Sequence, residues 1–268
     1  MDAPEPTVSE TAKWDAAFVE QLADAVRPFI RRYFRFEVNG IDNLPAGGGA
    51  LLVSNHSGGT LTPDVLILGS AYYERFGFDR PLYTLGHDSL FVGRLAGLLA
   101  RTGVIHASRE NAGDALRSGG VVLVFPGGDY DAYRPTRMAN HIDFNGRTGY
   151  VWTALEAGVP IVPTVSIGGQ DSQLFLTRGT GLAKKLGLQR LRVDILPVSV
   201  GFPFGVSMFV LPNLPLPTKI VTAVLEPVNI VEQFGDDPDV DEVDAHVRSV
   251  MQTALDGLAR QRRFPILG

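Results

Sequence analysis

Four short apolar runs, separated by stretches of helical periodicity, constrain the fold of this chain more strongly than any other feature of its sequence. The runs are rich in Val, Leu and Ile, as expected of strands buried on both faces, and they cover residues 50–54, 81–85, 121–125 and 160–165. The intervening stretches predict helices over residues 64–76, 90–101, 110–118 and 147–157. Strands joined by helices of this length form βαβ crossovers. The sequence therefore predicts an α/β fold, with a mostly parallel central sheet and helices on both faces.

An amphipathic helix is predicted ahead of this sheet. Apolar side chains recur at helical spacing from Trp14 to Phe29. Thr7 and Glu10 match a capping box at the start of the helix, and Pro28 is expected to kink or end it. The helix would thus present one apolar face, either to the rest of the protein or to a membrane surface.

The segment that follows, residues 30–36, interleaves aromatic residues with arginines and leaves two interpretations open. Such a segment lies at a bilayer interface, or it docks on the core while its arginine heads extend into water. The chain has 268 residues, which is close to the length at which single hydrophobic cores stop growing. We therefore expect an N-terminal tail and amphipathic helix over residues 1–35 and one α/β domain over residues 36–268.

In the C-terminal third, the regular alternation of apolar runs and helical stretches ends. Residues 191–217 are rich in Pro and Phe, and they predict either edge strands with irregular loops or an apolar lip around a ligand channel. A further strand is predicted over residues 220–226. The chain closes with a predicted helix whose apolar face comprises Val243, Val247, Val250, Met251, Ala254, Leu255 and Leu258.

Several classes of protein are disfavoured by composition. Cysteine is absent, which excludes disulfides, thiolate metal sites and cysteine nucleophiles. Neither a basic segment followed by an apolar core nor an apolar run of about 18 residues occurs. The five histidines lack metal-ligand spacing, and no Walker or dinucleotide-binding glycine pattern occurs, so we expect no metal and no cofactor. We expect a cytoplasmic protein that associates peripherally with the membrane surface.

The net charge of −5 is unevenly distributed. Residues 232–244 contain seven acids and no Lys or Arg, which suits the start of the last predicted helix. Residues 90–147 contain seven arginines and five acids. A moderately basic middle in an acidic chain fits a small ligand that carries phosphate better than it fits nucleic acid. The alternative is that these arginines are scattered over a solvated surface.

Candidate catalytic groups follow the predicted strands at their carboxyl ends. His56 comes directly after the strand at 50–54, Gly127 and Gly128 follow the strand at 121–125, and Arg109 follows a short strand near Val104. Ligands of open parallel sheets bind outside the carboxyl ends of the strands. We therefore expect these four residues to converge on one edge of the sheet.

These residue types suit acid–base chemistry on a ligand. His56 would be the general base, and Asp64 would bond the far ring nitrogen and stabilise the imidazolium. The two glycines let backbone N–H groups approach a phosphate or a developing oxyanion, and Arg109 offers a forked donor for phosphate. Structural roles remain open, because Asp64 also fits a helix start and Gly-Gly also fits a tight turn.

Four blocks of sequence occur in order along the chain: Asn55-His56 with Asp64, Gly103-Val104-Ile105 with Arg109, Phe125-Pro126-Gly127-Gly128, and Val159-Pro160-Ile161-Val162-Pro163. In their order and spacing, these blocks resemble those of the glycerolipid acyltransferases, the lysophosphatidate acyltransferase superfamily. Residues 36–45 are similar to the segment that leads into the first block, and the resemblance extends from about residue 30 to residue 230.

The resemblance implies an O-acyltransferase that moves a fatty acyl group from acyl-CoA or acyl carrier protein to the hydroxyl of a glycerolipid such as lysophosphatidate. The histidine of a His56–Asp64 pair would deprotonate the acceptor hydroxyl, which attacks the thioester directly without an acyl-enzyme. Residues that would bind the substrate, principally the acceptor's head group, are Asn55, Arg109, Phe125, Pro126, Gly127 and Gly128.

The chain departs from the family pattern in two places. Leu61 occupies the usual position of the acid in the first block, and Asp64 lies three residues later. Gly127 occupies the position where the third block usually has Glu, as in the branch that acylates neutral acceptors such as diacylglycerol. The alternatives are therefore an acyltransferase acting on a neutral alcohol and a catalytically impaired relative that binds lipid. A serine hydrolase is disfavoured because the chain has no Gly-x-Ser-x-Gly motif.

Overall fold

The computed structural model describes residues 9–59, 61–191, 194–208, 213–264 and 266. Within these residues the strands are β1 (Glu37–Asn39), β2 (Ala50–Ser54), β3 (Leu82–Gly86), β4 (Val104–His106), β5 (Val121–Val124), β6 (Ile161–Ile167), β7 (Leu174–Thr177), β8 (Val198–Gly201), β9 (Gly205–Met208) and β10 (Val221–Val224). The α-helices are α1 (Ala16–Phe34), α2 (Pro63–Phe76), α3 (Gly93–Arg101), α4 (Arg109–Arg117), α5 (Gly128–Ala132), α6 (Gly149–Ala157), α7 (Thr180–Lys185), α8 (Ile230–Phe234) and α9 (Val240–Gln261).

The predicted α/β fold with a mostly parallel sheet is confirmed. The strand order of the main sheet, among the described residues, is β1-β10-β6-β2-β5-β3-β4. The five strands from β6 to β4 in that order run parallel, whereas β10 is antiparallel to β6 and parallel to β1. The carboxyl ends of β2, β3, β4 and β5 therefore lie along one edge, which is the edge where the candidate catalytic groups were predicted.

Both faces of the sheet are covered, because the side chains of each central strand alternate between two cores. On β2, Leu51 and Val53 pack in a cluster with residues of α4, α6 and α9, whereas Ala50 and Leu52 pack with α2 and with Val19 of α1. The last helix buries Val243, Val247, Met251 and Leu255 in the first of these clusters, which confirms its predicted apolar face.

The N-terminal helix starts later and ends later than its pattern suggested. Asp15 is its N-cap and accepts a hydrogen bond of 3.0 Å from the N–H of Phe18, so the predicted capping box does not start this helix; Thr7 lies outside the described residues. Glu10 instead accepts a bond of 2.8 Å from the N–H of His106. Pro28 lies inside α1, which continues to residue 34.

The aromatic and basic segment at residues 30–36 docks on the core. Ile30 and Phe34 are buried in a cluster with residues of α2 and with Ile220. Arg31 extends to a surface ion pair with Glu74, at 2.8 Å, as expected of an arginine whose stem lies along the protein.

The described residues of the Pro- and Phe-rich segment, 194–208 and 213–217, do not extend the main sheet at its edge. Strands β8 and β9 instead form a separate antiparallel sheet with β7, in the order β7-β8-β9. No helix in the described parts of the chain is long and apolar enough to cross a bilayer.

Candidate active site

Asn55 fixes the point at which the chain leaves the sheet. Its Nδ2 donates to the carbonyl of Ser166, at 2.9 Å, and its Oδ1 accepts from the N–H of the same residue, at 2.8 Å. The side chain is completely buried. This geometry does not match the predicted contact of Asn55 with substrate, because the amide is inaccessible and already bonded to β6. Asn55 continues the pairing of β2 with β6, so that His56 lies just beyond the sheet edge.

The structure brings His56 and Asp64 together at this edge. The distance between His56 Nδ1 and Asp64 Oδ2 is 3.5 Å, slightly beyond a hydrogen bond, and Nδ1 has no hydrogen-bond partner among the described residues. Asp64 lies in the first turn of α2, where the helix dipole favours a carboxylate, and only 4% of the residue is exposed. The start of α2 thus folds back onto His56, which is why an acid three residues later than usual still reaches the histidine.

Ser57 orients the Asp64 carboxylate. Its N–H donates to Oδ2 at 2.8 Å, and its hydroxyl donates to Oδ1 at 2.9 Å. These two bonds hold the carboxylate at the start of α2, facing His56. A carboxylate in this position can accept the Nδ1–H of His56, which leaves Nε2 unprotonated and able to act as a base.

Phe125 packs against one face of the His56 imidazole. Its ring stacks on that of His56 with 4.2 Å between the centroids and 27° between the planes. Phe125 follows β5 directly, and β5 is the neighbour of β2 in the sheet. The third block therefore contributes an apolar wall to the histidine, a role that the sequence did not distinguish from contact with a head group.

The Gly127-Gly128 turn is tightly packed. A Cβ atom at residue 127 would overlap the side chain of Asp131, so this backbone has no space for the Glu that usually occupies the position. Gly128 has a φ of +51° and donates its N–H to the carbonyl of Phe125, at 2.9 Å. Pro126 is buried behind the turn, and its carbonyl accepts a bond from Arg147. The N–H of Gly128 is thus used within the turn rather than aimed at a ligand.

Sequence reasoning missed a buried ion pair beneath His56. The Asp131 carboxylate is completely buried, and its Oδ2 accepts the backbone N–H of His56 at 2.5 Å. Its other oxygen pairs with Arg134, which is also completely buried. Burial raises the pKa of Asp131, and the Arg134 guanidinium opposes that rise. Gln170 links the pair to the histidine loop, because it donates to the Arg134 carbonyl and accepts from the N–H of Gly58.

The signal for this ion pair was present in the sequence but was not specific. Asp131 and Arg134 are three residues apart, a spacing that brings side chains together on a helix. Nothing in the sequence indicates that the pair is buried or that it contacts His56.

Arg109 lies at the first position of α4, and it is exposed. It lies at a cleft whose apolar walls come from β2, β3, β5 and α6 and include Leu51, Leu85, Val124 and Tyr150. Val124, which lines this cleft together with Arg109, directly precedes Phe125 of the third block. Within the described residues its guanidinium makes no ion pair or hydrogen bond, and it is therefore available to a ligand.

Most of the arginines of residues 90–147 have a structural use. Four of the seven arginines pair with acids; the pairs are Arg101–Asp15, Arg117–Asp114, Arg134–Asp131 and Arg147–Asp129. Arg147 also donates to the carbonyl of Gly127, at 3.0 Å. The excess therefore does not by itself require a polyanionic ligand.

The acyltransferase family model matches residues 35–167, a stretch that contains the His56–Asp64 pair, Arg109 and the 125–128 turn. The chain belongs to the acyltransferase family. This membership agrees with the family resemblance of its four sequence blocks.

This acyltransferase is similar in sequence to two further proteins. It is 32% identical over 260 residues to an uncharacterised protein of Mycobacterium tuberculosis, an alignment that covers 95% of this chain and 69% of that protein. It is 28% identical over 193 residues to the mouse "DGAT1/2-independent enzyme synthesizing storage lipids", which covers 71% of this chain and 56% of that enzyme.

A solved structure shares the fold of this acyltransferase. The 1-acyl-sn-glycerophosphate (LPA) acyltransferase PlsC of Thermotoga maritima superposes with a TM-score of 0.53 at 17% identity, covering 90% of this chain and 81% of PlsC. This likeness shows the fold, whereas the identity of the acceptor has to come from the site itself.

Proposed function

We propose that this acyltransferase moves a fatty acyl group from acyl-CoA to the hydroxyl of a neutral lipid alcohol, such as a diacylglycerol, with His56 as the general base. The observation that carries the proposal is the position of the His56 imidazole between the Asp64 carboxylate and the Phe125 ring at the carboxyl edge of the sheet. A base held in this way is suited to a hydroxyl that enters from outside the sheet.

The chemistry proceeds in one displacement. His56 Nε2 takes the proton of the acceptor hydroxyl as its oxygen attacks the thioester carbonyl, and the imidazolium is stabilised by Asp64. When the tetrahedral intermediate collapses, the C–S bond breaks and the thiolate leaves as the free thiol, with the proton returned by His56. Ser57 donates its hydroxyl to Asp64 rather than to His56, which supports direct transfer without a serine acyl-enzyme.

Three observations favour a neutral acceptor over lysophosphatidate. The backbone at Gly127 has no space for the usual Glu, four of the seven arginines of residues 90–147 pair with acids of the chain, and the mouse relative is named for storage lipids. The unpaired Arg109 at the cleft supports the phosphorylated acceptor. We assign it instead to a phosphate of the acyl donor, because a nucleotide-bearing thioester carries several.

Product analysis tests this assignment directly. The purified protein would be incubated with acyl-CoA or acyl carrier protein and, in separate reactions, with diacylglycerol, monoacylglycerol, a long-chain alcohol and lysophosphatidate. We expect mass spectrometry to detect acylated neutral lipid with acyl-CoA as the donor. Phosphatidate as the sole product would show that the acceptor is phosphorylated.

Replacement of Arg109 should weaken donor binding. A charge-assisted hydrogen bond contributes about 1.5–3 kcal/mol, so Arg109→Ala should raise the KM for acyl-CoA by about 10- to 100-fold and leave the KM for the acceptor unchanged. Steady-state kinetics with each substrate varied in turn would measure this. Arg117→Ala, which removes an exposed arginine from the same helix, is the matched control and should change neither constant. A defect confined to lysophosphatidate would contradict the assignment.

Asp131 and Arg134 act as positioning residues for His56, because the Asp131 carboxylate holds the His56 backbone N–H. The double replacement Asp131→Asn with Arg134→Gln removes both buried charges together. We expect kcat to fall about 10- to 100-fold, since displacement of a catalytic group by about 1 Å has effects of this size, while KM for both substrates stays within about twofold.

The control for this pair is the ion pair of Asp244 with Arg248 on α9, at 2.7 Å. Asp244→Asn with Arg248→Gln should also lower the melting temperature but leave kcat unchanged. Equal losses of stability and equal kcat values in the two double variants would show that Asp131 supports the fold and nothing more.

We also propose that the acyltransferase works at a membrane surface, because its acceptor and product are lipids. Membrane-bound protein should be released by high salt or by alkaline carbonate. Release by detergent alone would contradict peripheral association.

A further inference from the structure

The small sheet β7-β8-β9 reverses the usual distribution of polar and apolar side chains. Directly paired residues of adjacent strands share a face, and one such row consists of Phe175, Ser199 and Ser207, all buried toward the protein. The two serine hydroxyls of this inner face lie 3.1 Å apart, within hydrogen-bond distance. The inner face is thus partly polar.

The outer face is mostly apolar. Leu174, Val200 and Val206 form one paired row, and Thr177, Val198 and Met208 form the next. Leu174, Val206 and Met208 of this face are about half exposed or more, as is Leu176 at the irregularity in the pairing between Phe175 and Thr177. An antiparallel sheet that faces water on one side normally presents polar side chains there, so this face is built for an apolar environment.

The tip of the β8–β9 hairpin also exposes apolar side chains. Phe202 and Phe204, between β8 and β9, are 67% and 50% exposed. Aromatic side chains in this position suit the interfacial region of a bilayer.

The positive charge of residues 174–208 favours an anionic membrane as the partner of this face. Residues 174–208 contain five basic residues, Arg178, Lys184, Lys185, Arg190 and Arg192, and a single acid, Asp194, although the whole chain has a net charge of −5. Lys184 and Lys185 are exposed on α7, which connects β7 to β8. An apolar face joined to a basic segment matches the hydrocarbon and the negative head groups of an anionic leaflet.

We propose that the outer face of the β7-β8-β9 sheet and the Phe202–Phe204 hairpin tip are the surface by which this protein docks on anionic membranes. The surface adjoins the candidate active site, because the Phe175 ring on the inner face packs beside Gly59 and Tyr133. Docking through the sheet places the His56 edge next to the lipid from which the acceptor comes. The inference rests on the proposed function for its purpose, while the contact itself is independent of catalysis.

Vesicle binding tests the surface without any acyl transfer. The full chain would be floated with phosphatidylcholine vesicles that contain or lack phosphatidylglycerol, in three forms besides the unmodified chain. The first is Val206→Glu with Met208→Glu, on the outer face; the second is Lys184→Glu with Lys185→Glu; the third is Val231→Glu, an exposed apolar residue of α8, as the matched control.

We expect the unmodified chain and the control to bind the anionic vesicles equally. The outer-face variant should bind at least about tenfold more weakly, and the lysine variant should lose most of its preference for anionic vesicles, about tenfold for two reversed charges. All four forms should acylate detergent-dispersed acceptor at the same rate. Activity in detergent together with undiminished vesicle binding by the outer-face variant would overturn the docking surface alone. Absence of activity from every form, with the expected pattern of vesicle binding, would instead remove the proposed function.

A second copy of this chain is the competing occupant. Sedimentation that shows a dimer of the unmodified chain, lost in the outer-face variant, without vesicle binding by either form, would assign the face to self-association and overturn the proposal.

Discussion

His56→Ala should abolish acyl transfer while leaving the fold intact. The general-base contribution is about 10²–10⁴-fold, and a histidine that lies beyond the end of β2 makes its contacts with the Asp64 carboxylate and the Phe125 ring rather than with the core of the sheet. The measurement is single-turnover acyl transfer to the acceptor identified by product analysis, together with thermal melting. Addition of imidazole should restore part of the rate, because a small base can enter the space left by the ring.

The matched control is His246→Ala, which removes an exposed histidine of α9. It should retain full activity. A His56→Ala enzyme that loses only a few-fold activity, with an unchanged melting temperature, would show that the base lies elsewhere. His106, which pairs with Asp88 at 2.9 Å, would then be examined next.

Asp64→Asn should reduce kcat by about 10²-fold or more, because an amide can neither stabilise the imidazolium nor fix the tautomer that leaves Nε2 unprotonated. The pH–rate profile is the informative measurement. Because Asp64 is a charged group beside the imidazole, the Asp64→Asn profile should differ in shape from that of the unmodified chain, whereas a variant that only loosens the loop should lower the rate equally at every pH.

Ser57→Ala distinguishes a catalytic role of the Asp64 carboxylate from a role in holding the loop in place. The variant removes the hydroxyl bond to Asp64 Oδ1 but keeps the carboxylate near His56. We expect a loss of no more than about tenfold, the size of one hydrogen bond. If Ser57→Ala and Asp64→Asn were equally impaired with identical pH profiles, Asp64 would be a loop anchor and the catalytic pair would be incorrect.

The sequence was sufficient for the central strands of the main sheet because these strands are buried on both faces. Continuous apolar runs such as 121–124 have few alternatives once helical stretches separate them, so the ends of the predicted and observed central strands differ by no more than two residues. The short edge strand β1 is partly exposed and was not predicted. The meeting of His56 and Asp64 could also be predicted, since both residues flank the same strand–helix connection.

Features that depend on tertiary contacts were not accessible from the sequence. The burial of Asn55 and of the Asp131–Arg134 pair depends on which neighbours cover them, and local pattern does not specify this. The small β7-β8-β9 sheet was missed as a separate sheet because its residues alternate in the reverse sense, with apolar side chains outward. Period-2 patterns indicate a strand but do not indicate which face meets the protein.

The buried pair of Asp131 and Arg134 has a consequence for how this family diversifies. Loss of either partner alone leaves an uncompensated charge in the interior, at a cost of about 3–5 kcal/mol, which is a large part of the stability of a typical domain. Single substitutions at either position should therefore be rare among functional descendants of this chain. The two positions are therefore expected to covary. Because the Asp131 carboxylate also accepts the His56 backbone N–H, lineages that replace the pair should show compensating changes in the loop between His56 and Asp64.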